Sequence, residues 1–200
     1  MGTLPPSARR SPRTPPLSRR GFLALTGGGV AAALAGCSNG IGSNGPARID
    51  QRVDATRNFL LSRYPGTQEL ETKSSGQLYM PLITEAGLGI GGSYGTGALR
   101  IGGATVDYYA ALSATVGFQA GAQQYAHALF FMTPNALQNF RTSAGWSIGG
   151  DAEYAVIDRG GNVSAETLTA LDPVIALIFG QTGLIAGATL EGTKYQRIIP

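Results

Sequence analysis

The sequence predicts an α+β fold: N-terminal helices followed by a strongly curved, mostly antiparallel, glycine-rich β-sheet or barrel. Three observations carry this. Residues 47–64 repeat apolar side chains at helical spacing. Beyond about residue 75 the apolar period becomes two, the signature of half-buried strands. Glycines recur inside those strand patterns, where they mark bulges, bends and close backbone approach.

The first 36 residues read as an address label rather than structure. Arg19-Arg20-Gly21-Phe22-Leu23 opens a short apolar run that ends at Leu34-Ala35-Gly36-Cys37. A basic region, an apolar region of about 15 residues and a small-residue cleavage site make a signal peptide, too short to span a bilayer. Arg19 and Arg20 look like a twin-arginine export signal; a Sec-type signal that merely holds two arginines is the alternative. Cys37 ends a lipobox pattern and is the expected site of acylation and cleavage. The expected order is a signal at 1–36, a Gly/Asn/Ser-rich tether at 37–46 and one domain at 47–200.

Within that domain the first helix runs from about Ala47 to Tyr64 and stops at Pro65-Gly66. Ile49, Val53, Leu60 and Tyr64, with Thr56 between, form its buried stripe. Arg48, Arg52 and Arg63 line one flank of the stripe beside Phe59, and Asp50 and Asp54 lie toward the other. A shorter helical piece follows at 69–74. Strand alternation then appears at 116–123, 151–156 and 184–190. The continuously apolar runs 127–132 and 174–179 suit strands covered on both faces. Between them, Thr133 caps a helix through Arg141 with Pro134 at its first position. Six to eight strands result.

Charge narrows the function classes. Of the 15 basic residues, Arg9, Arg10, Arg13, Arg19 and Arg20 fall in the leader and none of the 12 acidic ones does, so residues 37–200 carry −2. The basic balance of the whole chain therefore gives no argument for nucleic acid. Cys37 is the sole cysteine, which removes disulfides from consideration.

Signals for catalysis are thin. Gly87, Gly89 and Gly92 satisfy G-x-G-x-x-G, but a strand-and-turn pattern follows where a dinucleotide fold needs a helix. Alternate glycines there predict a flat strand face against which something large packs. His127, the one histidine, lies in an apolar strand run and reads as structural, leaving no transition-metal set. Asp151 and Glu153 share a strand face, either as a carboxylate pair or as two solvated edge charges. Ser93, Ser113 and Ser143 lack a visible base, and Trp146, Tyr108 and Tyr109 read as core or rim. The expectation is no catalysis, no cofactor and no metal.

Several segments in order are similar to the SYLF domain family: the basic helix ending in Tyr64-Pro-Gly, then Leu78-Tyr-Met-Pro-Leu82, then Gly87-Leu-Gly-Ile-Gly-Gly-Ser-Tyr-Gly-Thr-Gly97. Val116–Gln123, the strand to Met132-Thr133, Gly149–Glu153 and Gly183–Gly192 continue the match across most of 49–192. The resemblance implies lipid binding through an N-terminal amphipathic helix and basic residues. Eukaryotic members bind phosphoinositides, some yeast members bind actin, and bacterial ones are mostly exported proteins or lipoproteins. Here it implies an envelope lipoprotein, periplasm-facing and held by acyl chains on Cys37, with the outer membrane favoured because Ser38 follows the cysteine. Its partner would be an anionic phospholipid or membrane surface, met by Arg48, Arg52, Phe59 and Arg63. A structural or protein-interaction module of the envelope is the alternative.

Overall fold

The computed structural model of the chain describes Gly2 and residues 44–149, 154–158, 172–183 and 190–200. Arg19, Arg20, Cys37, Asp151, Glu153 and the 184–189 segment lie outside the described residues. Asn39–Pro200 forms a compact unit by itself. Within it two helices, α1 (Gly45–Arg63) and α2 (Thr67–Lys73), precede the long strands β1 (Gly76–Ile101) and β2 (Ala104–Phe131). Helix α3 (Pro134–Thr142) follows, then β3 (Trp146–Ser147), β4 (Tyr154–Asp158), β5 (Val174–Gly183) and β6 (Lys194–Ile198).

Local chemistry sets the helix ends. Pro46 sits in the first turn of α1, where its missing N–H costs nothing. The helix therefore begins two residues before the expected Ala47. Tyr64, restricted by Pro65, leaves the helical region at φ −130°. Thr133 caps α3 as expected, its hydroxyl oxygen accepting the Ala136 N–H at 3.1 Å.

The sheet is strongly curled, and β2 is its hub. Strand β1 pairs antiparallel with β2 along nearly its whole length. On the other edge of β2, β6 takes Tyr108–Leu112 and β5 takes Gln123–Phe131. β3 extends the sheet beyond β6 antiparallel, and β4 adds to β5 as the one parallel pair among the described strands. Mostly antiparallel, with six strands among the described residues, is the outcome.

Alternation in the long strands feeds two cores, one on each face of the sheet. Leu129, Phe131, Val174, Ala176 and Ile178 pack with Phe140, Trp146 and Tyr195. The intervening Ala128, Phe130, Ile175, Leu177 and Phe179 pack under Ile49, Val53 and Leu60 of α1 and Leu70 of α2. The continuously apolar runs are thus strands covered on both faces.

The β1–β2 ribbon is folded over on itself. Its bend lies at Gly89 (φ +78°), where the register jumps between Leu88↔Ala120 and Ile90↔Val116. A Cβ on Gly97 would lie 2.0 Å from the Tyr79 carbonyl oxygen, and one on Gly95 2.4 Å from that of Leu82. The glycine-rich segment does present a bare face for close packing, but what lies against it is the first half of its own strand. A bulge between Met80 and Ile83 lets both face the Phe131 core and turns Pro81 and Leu82 outward.

Candidate functional site

Helical spacing puts Arg48, Arg52, Phe59 and Arg63 of α1 within about 60° of arc, adjacent to the buried Ile49–Val53–Leu60 stripe. All four are exposed, Phe59 to 48%. The Phe59 ring still stacks on Phe179 of β5, with centroids 6.2 Å apart. None of the three arginines has a carboxylate partner among the described residues.

The other flank is spent internally. Asp50 accepts from Thr105 Oγ1 at 2.7 Å and from the Tyr108 hydroxyl at 2.8 Å. Arg100 Nη2 reaches Asp54 at 2.8 Å and Asp50 at 3.6 Å. Arg57 forks onto Glu71 of α2, its Nη2 at 2.8 Å, and the Tyr79 hydroxyl donates to the same carboxylate at 3.2 Å. That hydrogen bond to Glu71 raises the Arg57 pKa above its ordinary value. Beside the acceptor Asp50, desolvation first and the carboxylate second push Tyr108 up to about 12. Four arginines against two aspartates becomes, on the outer flank, three arginines facing solvent.

Between this flank and the sheet runs an apolar groove of about 290 Å³. Thr56 and Phe59 of α1, Pro81 and Leu82 of β1, Ala126 of β2 and Phe179 of β5 line it, and no charged residue does. Its floor exists because the Met80–Ile83 bulge turns Leu82 outward. Arg48, Arg52 and Arg63 share by helical spacing the α1 flank from which Phe59 enters this groove. A second cavity, lined by Leu137, Arg141 and Arg197, has its cations already committed to Asp107 at 2.9 and 3.5 Å.

The remaining sequence candidates among the described residues sit in structural roles. His127 is fully buried, its Nε2 2.8 Å from the Tyr195 hydroxyl, and desolvation lowers its pKa to about 3. Ser93 and Ser113 bond each other across the ribbon at 2.7 Å, and Ser143 Oγ donates to Asn139 O at the end of α3. Tyr109 and Trp146 pack on Phe140. Strand β1 runs through the Gly87–Gly92 motif to the turn at 102–103, so no helix opens there to receive a phosphate. Among the described residues no three His, Cys, Asp or Glu side chains cluster, and no helix is long and apolar enough to cross a membrane.

Residues 112–197, from mid-β2 through most of β6, match the family model Ysc84, described as Las17-binding protein actin regulator. This is the family that the sequence motifs resemble. Residues 112–197, 86 of the 200, are similar to it. No curated protein matches the chain. The Ysc84 segment supplies Gln124, Tyr125, Ala126, Phe179 and Gly180 to the groove, while α1 and β1 complete it from outside the matched region. Sequence reasoning placed Arg48, Arg52, Arg63 and Phe59 together on α1, where all four are exposed. It missed the groove, whose lining comes from four elements; the one local signal was Pro81 inside a strand pattern, which marks a bulge.

Proposed function

We propose that this domain binds lipid at a membrane surface of the bacterial envelope, with Arg48, Arg52 and Arg63 on anionic head groups and Phe59 at the mouth of the groove. The observation that carries the reading is the pairing of uncommitted arginines with an uncharged groove on one flank of α1. Acyl chains on Cys37 would hold the chain to a bilayer at about 0.8 kcal/mol per buried methylene. Each arginine would add about 1 kcal/mol near an anionic surface, so the three favour anionic over zwitterionic vesicles in the free domain and orient a tethered one. The domain acts by binding and carries out no catalysis.

Flotation of residues 38–200 with vesicles tests this. Recovery should be higher with phosphatidylglycerol than with phosphatidylcholine vesicles. Equal recovery with both, or no loss in Arg48/Arg52/Arg63→Ala, would discard the head-group role. The family description favours a second reading, a protein-interaction module of the envelope. A defined protein neighbour in whole-cell crosslinking, with indifference to lipid, would support it.

A further inference from the structure

The fold of the β1–β2 ribbon exposes apolar side chains that neither core uses. Leu88 is 82% and Ile90 76% exposed, on either side of Gly89. Behind them Tyr94 and Leu112 face each other across the ribbon, 56% and 41% exposed. The region is free of charge over long stretches of both strands: residues 86–99 and 108–140 contain no Asp, Glu, Lys or Arg. The nearest acid, Glu85, is held by Gln123 Nε2 at 2.7 Å. Large apolar side chains clustered at a bend, with no charge around them, mark a candidate contact surface.

Area and shape decide what covers them. Leu88, Ile90 and Tyr94 together expose roughly 400–500 Å², well below the about 800 Å² per partner of a stable protein interface. A tip offers no flat face for a second copy. A bilayer needs neither area nor shape complementarity from its partner, only apolar side chains without charge, and Tyr favours the level of the head groups. The tip is also continuous with the groove. Leu82, Thr84, Ala86 and Leu88 are the exposed alternate residues of β1, so one strand face runs from Leu82 in the groove about 20 Å to the tip.

We propose that the ribbon tip is a membrane wedge: Leu88 and Ile90 enter the hydrocarbon margin of the bilayer and Tyr94 stays at the head-group level. This rests on the lipid-binding reading and adds to it the part of the domain that penetrates. The wedge supplies apolar anchorage where the arginine flank supplies charge.

Residues 39–200, the compact unit without Cys37, carrying Leu88→Trp test it. Trp146, the only native tryptophan, is buried, so its emission is a constant background measured on the parent protein. With vesicles of phosphatidylglycerol and phosphatidylcholine, emission from the introduced indole should shift to the blue and be quenched when the phosphatidylcholine carries brominated acyl chains. Leu88→Asp/Ile90→Asp should lower vesicle binding at least about tenfold with an unchanged thermal midpoint. Vesicles that sediment the protein while the emission of the introduced indole stays unchanged would overturn the wedge and leave lipid binding standing. Failure to sediment with any vesicle would remove both. A blue shift that depends on protein concentration without vesicles would assign the tip to a second copy instead.

Discussion

Single residues in this domain are constrained by desolvation and by backbone approach. His127 is neutral in the fold because burial holds its pKa near 3 against 6.5 in the unfolded chain. The unfolded state therefore binds the extra proton between those values, so this contribution is complete above pH 6.5 and is lost as pH falls toward 3. Roughly 2 kcal/mol should be gone by pH 5. Thermal denaturation at pH 7 and 5 should show it, and His127→Gln should flatten the difference; an equally steep fall in that variant would move the effect to other groups. Gly97 is fixed by space: Gly97→Ala should destabilise by about 3 kcal/mol, since backbone rather than a movable side chain blocks the Cβ. Urea titration of the two proteins measures this, and a change under about 1 kcal/mol would refute the close approach.

At the scale of elements, α1 divides its labour by flank. Asp50, Asp54 and Arg57 fasten it to Arg100, Thr105, Tyr108 and Glu71, while Arg48, Arg52 and Arg63 stay toward solvent. Substitutions on the two flanks should separate. Arg57→Ala leaves the half-buried Glu71 carboxylate without its cation and should lower stability by about 2 kcal/mol. Arg52→Ala should leave stability within about 0.5 kcal/mol and weaken binding to anionic vesicles about fivefold, the factor that corresponds to 1 kcal/mol. Denaturation and flotation on the same two proteins check this; the reverse pattern would reject the assignment. On α3, Thr133→Ala removes a cap and should cost about 1 kcal/mol by the same denaturation assay.

For the whole molecule, the folded ribbon gives the domain its shape. One hairpin bent at Gly89 supplies both faces of the curled sheet, and the shorter strands β5 and β6 complete it along the free edge of β2. The groove is a product of that bend and of the Met80–Ile83 bulge, with α1 laid beside it. The proposed attachment through Cys37 belongs to this scale too. Cys37→Ser should release the protein from the membrane fraction into the soluble fraction, and Arg19/Arg20→Lys should block export. Cell fractionation checks both, and a wild-type protein recovered from the cytosol with an intact leader would overturn the envelope assignment.

Periodicity determined the buried stripe of α1, the cap of α3 and the doubly covered strands 127–131 and 174–179, because each is dictated by neighbours within a few residues. A series of ordered motifs pointed to the family whose model matches residues 112–197. Counting charges along α1 could only give four arginines against two aspartates, since the groups that neutralise Asp50 and Asp54 come from a turn some fifty residues away. The glycine run likewise announced a close approach without naming the partner, which is the same strand folded back. Which arginines face solvent, where an apolar groove opens and what protrudes at the ribbon tip were decided by tertiary structure alone, because each depends on residues that only the fold brings together.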